Sequence, residues 1–587
     1  MKNFLQKILK SKYWWIAIIA LFAIITYISS LLQYRIDLTT DKRFTLTSST
    51  KKLLKNLDST ITIKVFLTGD LPADYKKLSI ATNDMLNELR DVSNNKIKFS
   101  FEEPGKNLSD SSKMNLYDSL AHLGVVFERN EDVSSSQNKS TNQIIIPSAL
   151  VYYKNQKPFA IDLRSSREVF KNYNVVTDNP ENKIDKEATR NAAEALLEFK
   201  FANAIDKLTR KYVPAIAYAV GNGEPIDLHV NDLGESLRND YDLGIFDLKK
   251  SYPNPDQIDA LMIVKPTQPF TEEDKLKIDQ YIMHGGKVIW FVDKLYAEID
   301  SLMRSQADFI AFDRGLNLDD ILFKYGVRIN SDLLQDLNCS KIPIVVGYNP
   351  DNSPRMQRIP WPYYPFLSST NNNPISKNLD RVLPIFPSSI DTVKANGISK
   401  TILLASDTNS RVLNSPALVS LNSVKDDPDF QSFNKSYIPV AVLLEGKFNS
   451  LFANRLSKEM QDSIKKNSGK PFLASGEKET KQIVVSDADI VTNAVTKTTG
   501  PLPMGELPFE DYRFANREFF LNSIDYLVST NGIFESRNKD FVLRLLDKSK
   551  VEDQRTTWQF INIVLPIILI ILFGFIFQFI RKNKYAA

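Results

Sequence analysis

Two long apolar runs without a charged side chain occupy residues 14–32 and 560–580, and no comparable run lies between them. A helix of roughly 20 residues is about 30 Å long, the thickness of a bilayer's hydrocarbon core. The pattern predicts two membrane-spanning helices, at 13–32 and 560–580, holding a large body between them. Lys2, Lys7, Lys10 and Lys12 precede the first run, and Arg581, Lys582 and Lys584 follow the second; neither flank contains an acid. On the body side the basic residues Arg35, Lys42 and Arg43 are offset by Asp37 and Asp41. Lys548, Lys550 and Arg555 are likewise offset by Asp547, Glu552 and Asp553. Basic flanks stay cytoplasmic. Segments 1–12 and 581–587 are therefore expected inside and the body outside, with Tyr13, Trp14, Trp15 and Trp558 at the interfaces. The alternative for the first run is a cleaved signal peptide. Its long apolar core and the absence of an A-x-A site argue against that.

Composition narrows the function classes. A net charge of +4 on 587 residues leaves no electrostatic footprint for nucleic acid. A single cysteine, Cys339, precludes an intramolecular disulfide. An exported body of this size without disulfides, rich in Lys and Asn, fits a bacterial envelope.

The body reads as α/β. Residues 44–165 form a small α/β domain. TLTSSTKKLLKNL is a capped amphipathic helix within it, and ITIKVFLTG, IKFSFEEP, LGVVFER, NQIIIPSALVYY and PFAID carry strand signals. The stretch 131–141 is a polar loop. Residues 186–212 are a connecting surface helix capped by Asp185, with Ala192, Leu196, Phe199, Ala202, Ile205, Leu208 and Tyr212 on one face. In 213–339 the strands AIAYAV, DALMIV and KVIWFV are continuous apolar runs, the mark of strands buried on both faces of a doubly wound parallel sheet. Thr271 caps the intervening helix, Glu272, Glu273 and Asp274 fill its first turn, and Gly285 and Gly286 close it. Residues 340–475 are an insertion or second lobe, with little regular structure at 358–382. Segment 476–546 returns to the sheet through KQIVVSDADIV and the helix REFFLNSIDYLV.

Signals for catalysis are sparse. No G-x-x-x-x-G-K-[ST] loop occurs. His122, His229 and His284 are far apart, without partners at metal-ligand spacing. Cys339 is not on a strand-to-helix elbow. No catalytic residue, no metal and no cofactor is expected. Ligand binding is assigned to Gly221, Asn222, Gly223 and Glu224, which follow AIAYAV directly, because ligands of open parallel sheets sit beyond the carboxyl ends of the strands. The alternative is that the glycines only turn a corner. Asp293 ends KVIWFVD, and Asp487 and Asp489 end KQIVVSDAD. These acids converge if their strands are neighbours; solvated loop acids are the alternative. Trp361, Tyr363 and Tyr364 in WPYYP are candidate partner contacts, or else cover the sheet's own surface. In the second span, Asn562, Pro566 and Gly574 offer an amide, a bend and a close-approach site to a neighbouring helix, beyond what an anchor requires.

Several stretches together carry a resemblance. DLTTDKRFTLTSSTKKLL follows the first span, then come AVGNGE, DALMIVKPTQPFTEEDKLKIDQYIMHGGKVIWFVD, WPYYP, VLLEGKFNSLFANR, VVSDADIVTNA, FFLNSIDYLVSTNGIFESRNK and WQFINIVLPIILIILFG. In this order between two spans, the chain resembles the GldG-type gliding-motility auxiliary subunits of ABC transporters in Bacteroidetes-type bacteria. Relatives are expected to carry G-H-G-E where Asn222 stands here. The resemblance implies a GIFT-type, amidotransferase-like α/β domain and a non-enzymatic accessory or substrate-binding role in the inner membrane. It also implies an ABC-2-type permease and an ABC ATPase as partners, with membrane lipid and an envelope substrate or motility component as further contacts. A structural tether, or a membrane-tethered hydrolase or transferase, are the alternatives.

Overall fold

A computed structural model describes residues 45–106, 108–130, 143–165, 186–298, 308–425, 429–510, 512–529, 531–538 and 548–585, with isolated positions at 19, 22, 23 and 26. The first apolar run, apart from those four positions, lies outside the described residues, as do the polar loop 131–141 and the Asp185 cap. The chain divides into two units, 1–540 and 541–587.

The first unit opens with helix α1 (Ser48–Lys55). Thr47 caps it, accepting from Thr50 N, as the sequence predicts. A four-stranded sheet follows, built from β1 (Ile61–Val65), β2 (Ile97–Phe101), β3 (Ser148–Tyr153) and β4 (Phe159–Asp162) in the order β2-β1-β3-β4. Only the β1–β2 pair is parallel. Helix α2 (Ala73–Val92) joins β1 to β2 and buries Leu78, Leu86 and Leu89 with Ile61, Ile63 and Val65.

Helix α3 (Lys186–Thr209) corrects the surface-helix expectation. Ala193, Leu197, Phe201, Ala204 and Ile205 pack on the small sheet, while Phe199 and Ala202 meet Ile533 and Phe534 on another side. Tyr212 lies past the helix end, exposed, and donates to Asp259 at 2.7 Å. The charges that made the helix look amphipathic are held inside. Lys200 donates to the carbonyl oxygens of Asp162, at 2.6 Å, and Arg164, tying α3 to the end of β4.

Burial lowers the Lys200 ammonium from its ordinary 10.5 to about 8. Between those values the unfolded chain binds more protons than the folded one, so this group makes stability rise with pH. From pH 7.5 to 9.5 its contribution is expected to improve by about 2 kcal/mol. Urea denaturation of the parent and of Lys200→Met checks this: the difference between their pH slopes should have that sign and size. Identical slopes would contradict it.

The large sheet has seven strands: β5 (Ala215–Val220), β6 (Asp242–Asp247), β7 (Ala260–Val264), β8 (Val288–Phe291), β11 (Ile398–Ala405), β12 (Pro439–Gly446) and β13 (Thr480–Val485). Their order is β11-β12-β13-β8-β7-β5-β6. Strands β6, β5, β7, β8 and β13 are mutually parallel. In chain order that run reads 2-1-3-4-5, a doubly wound arrangement whose switch point lies between β5 and β7. Alternate residues serve opposite faces. Ile216, Met262, Ile289 and Ile483 pack with α4 (Asn231–Arg238) and α6 (Asn516–Val528). Ala217, Leu261, Trp290 and Val484 pack with α5 (Glu272–Met283). A capping box from Thr271 and Asp274 starts α5, and His284 ends it, its Nε2 donating to Pro471 O at 2.9 Å.

The region 340–475, expected to be an insertion or second lobe, contributes two strands to the large sheet. Strands β11 and β12 extend the main sheet antiparallel beyond β13. The expectation of irregular structure at 358–382 also fails in part. Strands β9 (Cys339–Tyr348) and β10 (Pro354–Pro365) form a two-stranded antiparallel ribbon. Four prolines fit in β10 because that strand pairs on one side only, so half of its N–H positions need no partner.

In the second unit, α7 (Lys548–Tyr585) contains Pro566. Its segment Gln554–Phe579 is long and apolar enough to cross a membrane, with a mean hydropathy of 2.9 and none of that window buried within the protein. Asn562, Pro566 and Gly574 are all exposed on it.

Candidate functional site

The carboxyl edge of the large sheet gathers the predicted residues into two neighbouring groups. The first is the turn after β5. Gly221 and Gly223 have φ of +125° and +81°. A Cβ on Gly223 would stand 2.1 Å from Thr267 Oγ1, so only glycine fits. Asn222 is fully buried; its carbonyl accepts from Thr267 N at 3.0 Å and Gln268 N at 2.8 Å, and its amide donates to Pro269 O at 3.2 Å. Glu224 Oε2 accepts from Asn222 N at 2.7 Å. Burial, the largest influence, raises the Glu224 carboxyl above its usual range. Asn222 Oδ1 and Glu224 Oε1 are buried acceptors without hydrogen-bond partners among the described residues. The turn is thus packed by the loop after β7, with two acceptors left over for a small donor such as water. The corner-turning alternative accounts for both glycines.

The second group follows β7, β8 and β13. Strands β8 and β13 pair in register, so Asp293, Asp487 and Asp489 meet: one oxygen from each lies within 4.8 Å of the others. Backbone donors hold the acids in place. Asp293 Oδ1 accepts from Ala488 N at 2.6 Å, and Asp487 accepts from Ile385 N at 2.8 Å and Ile490 N at 3.1 Å. Lys265, the residue after β7, has φ of +48°, a costly conformation for a side-chain-bearing residue. Its Nζ reaches Asp489 Oδ1 at 2.5 Å and Asp293 Oδ2 at 3.4 Å. Burial raises the carboxyls of Asp293 and Asp487. Solvated loop acids do not describe this group: Asp487 is 1% exposed and Asp293 9%.

The aromatic candidates point inward. Trp361, Tyr363 and Tyr364 are 1%, 4% and 1% exposed and pack with Phe386, Leu333 and Phe514. Partner contact through these rings is corrected by that burial: they cover the chain's own interior. Cys339 is buried beside them, and burial pushes its thiol up to about 12, far from a thiolate nucleophile.

Two features escaped the sequence. Lys265 joins the acid group only through tertiary structure; its one local hint is a lysine at a strand end before Pro266. A cavity of about 720 Å³ lies where α1, β3, α3 and the end of α6 meet. Lys207 lines it, pairing with Asp240 at 2.7 Å and Asp525 at 3.3 Å, and Arg210 lies 5.2 Å from the Tyr241 ring centre.

Residues 213–523, more than half of the chain and the whole of the large sheet, match the family described as an ABC-type uncharacterized transport system, its auxiliary component. The chain belongs to this family. Membership supports an accessory role in an ABC transporter and association with transporter subunits. Residues 40–152 match a domain of unknown function. An uncharacterized protein of Borreliella burgdorferi is 23% identical over 576 residues, covering 94% of this chain and 95% of that one. Among solved structures, the mmIFT52 N-terminal domain aligns with a TM-score of 0.28 at 11% identity, covering 54% of this chain and 97% of that one. An exo-beta-1,4-mannosidase from an Opitutaceae bacterium aligns at 0.20 and 9%, covering 53% and 36%. Likenesses this faint carry no weight for function.

Proposed function

We infer that the chain is a membrane-anchored accessory subunit of an ABC transporter serving bacterial gliding motility or envelope assembly. The family match across the large sheet carries this reading. In it, the two terminal spans sit in the inner membrane beside an ABC-2-type permease, both termini are cytoplasmic, and the body, with its GIFT-type sheet, is periplasmic. ATP is hydrolysed by another chain, consistent with a sequence that has no P-loop. The apolar stretch of α7 and the basic residues after it support the anchor and its orientation. The packed turn at 221–224 favours, as a second reading, a structural tether that takes no organic ligand there. A hydrolase or transferase has the least support, since the one cysteine is buried and its thiol strongly protonated.

Purification of the tagged chain from native membranes in mild detergent tests the reading. A permease and an ATPase subunit are expected to co-purify with it. Recovery of the chain alone, from cells that express such a transporter, would count against it.

A further inference from the structure

The cavity where α1, β3, α3 and the end of α6 meet holds about 720 Å³, room for a small organic molecule. Its walls are mixed. Leu57, Tyr153, Tyr241, Val528 and Phe534 supply apolar surface, and charged side chains stand among them. Most of those charges are already matched. Lys207 holds Asp240 at 2.7 Å and Asp525 at 3.3 Å, and Lys154 holds Asp58 at 2.9 Å. Asp259 accepts from Tyr212 Oη at 2.7 Å and Ala215 N at 2.8 Å, and Asp206 accepts from Asn531 Nδ2 at 2.8 Å.

Arg210 is the exception. It follows α3 and lines the cavity, with its guanidinium carbon 5.2 Å from the centre of the Tyr241 ring. Among the described residues its side chain forms no ion pair, and its Nε is buried without a hydrogen-bond partner. Buried donors are seldom left this way unless something else completes them. The ring that carries the guanidinium is fixed. Tyr241 is 4% exposed, its hydroxyl donates to Asp525, and the Lys207 ammonium lies 5.5 Å from the ring centre. A planar fork of donors is therefore held against a rigid surface at the wall of a cavity, with no protein acceptor assigned to it.

We propose that this cavity binds a small organic carboxylate, its head group taken by the Arg210 guanidinium and its apolar body lying against the aromatic and aliphatic walls. A guanidinium meets a carboxylate through two parallel hydrogen bonds, and the match is one of shape as well as charge. A doubly charged head such as phosphate is disfavoured, because the acids Asp58, Asp206, Asp259 and Asp525 share the lining and repel a second negative charge. The ligand would touch α1, β3, α3 and the end of α6 together, and so tie the small sheet's side of the unit to the large sheet's. The proposal stands apart from the transporter reading; either can fail without the other.

The test titrates the full-length chain in detergent with benzoate and reads binding by saturation-transfer NMR, with protein-free micelles as the blank. Saturable binding is expected, half-complete at about 1 mM, as suits a ligand of about nine heavy atoms. Arg210→Met keeps the stem and removes the charge, and should weaken binding by about tenfold or more. Arg210→Lys keeps the charge without the fork, and should weaken it several-fold. Phenyl phosphate should bind several-fold more weakly than benzoate, and benzamidine, the same ring with a cationic head, should not saturate. No saturable benzoate binding by the parent, equal affinity in the parent and Arg210→Met, or a preference for phenyl phosphate or benzamidine overturns the proposal. Far-UV circular dichroism checks that each variant folds. If Arg210→Met does not, the Arg210→Lys comparison and the order of the three head groups still decide.

Discussion

Asp279→Ala is expected to destabilise the body by about 4 kcal/mol, enough to prevent folding in a marginal background. Asp279 projects from α5 into the interior and is fully buried. Its carboxylate accepts from Ser450 Oγ at 2.6 Å, Leu451 N at 2.9 Å, Tyr325 Oη at 2.9 Å and Gln280 Nε2 at 3.0 Å. Alanine would leave these donors in a place that water does not reach, each at a cost of roughly 1–3 kcal/mol before relaxation. Burial, the dominant influence, raises the Asp279 carboxyl, so the charge itself is unfavourable and its value lies in the donors it gathers. Asp279→Asn keeps the volume and one acceptor, and should cost about half as much. Denaturation midpoints measure both, with Glu235→Ala as a control. Glu235 forms an exposed pair with Arg238, so its loss should stay under about 1 kcal/mol. A loss below about 1 kcal/mol for Asp279→Ala would show that the segment at 450–451 finds other partners.

That hub also shows where the sequence stops being legible. The punctuation of α5 is local: a capping Thr271, acids in the first turn and glycines at the end, and the helix lies between them. The apolar runs of β5, β7 and β8 are legible for a similar reason, since two-sided burial leaves no polar positions to alternate. Nothing local says that Asp279 faces Ser450, or that β11 and β12 join the sheet beyond β13. Strand partners are chosen across the whole fold, and antiparallel edge strands look the same in a separate lobe. In α3 the charges themselves misled: Lys207 is 8% exposed in its side chain because Asp240 and Asp525 accompany it inward. The same limit applies at the site. Asp487 and Asp489 are visible as acids at a strand end, and their meeting with Asp293 follows once β8 and β13 are neighbours. The ammonium that joins the group comes from the end of β7, 224 residues from Asp489 in sequence, and reaches it only through tertiary packing.

On the proposed reading as a membrane-anchored transporter subunit, replacing residues 560–580 with a Leu/Ala helix of equal length, keeping Arg581 and Lys582, is expected to leave the chain in the membrane and abolish recovery of the permease. The reasoning begins with what anchoring requires. A bilayer-length apolar helix with a basic flank suffices, and Gln554–Phe579 exceeds that need in hydropathy. Three residues are superfluous to an anchor. Pro566 lacks a backbone donor and stands inside α7, where it favours a bend. Asn562 presents an exposed amide, and a hydrogen bond from it to another helix is worth on the order of 1 kcal/mol in a membrane. Among the described residues a Cβ on Gly574 would meet nothing within 4 Å, which leaves room there for another helix to approach closely. Large apolar side chains such as Phe573, Phe575 and Phe577 stand around it, exposed, and supply contact area on either side of the small residue. A Leu/Ala helix keeps the hydropathy and removes the bend, the amide and the notch together. Membrane fractionation measures the anchor, and co-purification in mild detergent measures the partnership. Single changes apportion the effect: Gly574→Leu should reduce permease recovery more than Asn562→Leu, because packing between membrane helices outweighs one interfacial hydrogen bond. A chimera that inserts, retains the permease and supports motility as well as the parent would reduce α7 to an anchor and move the search for the transporter contact to the body.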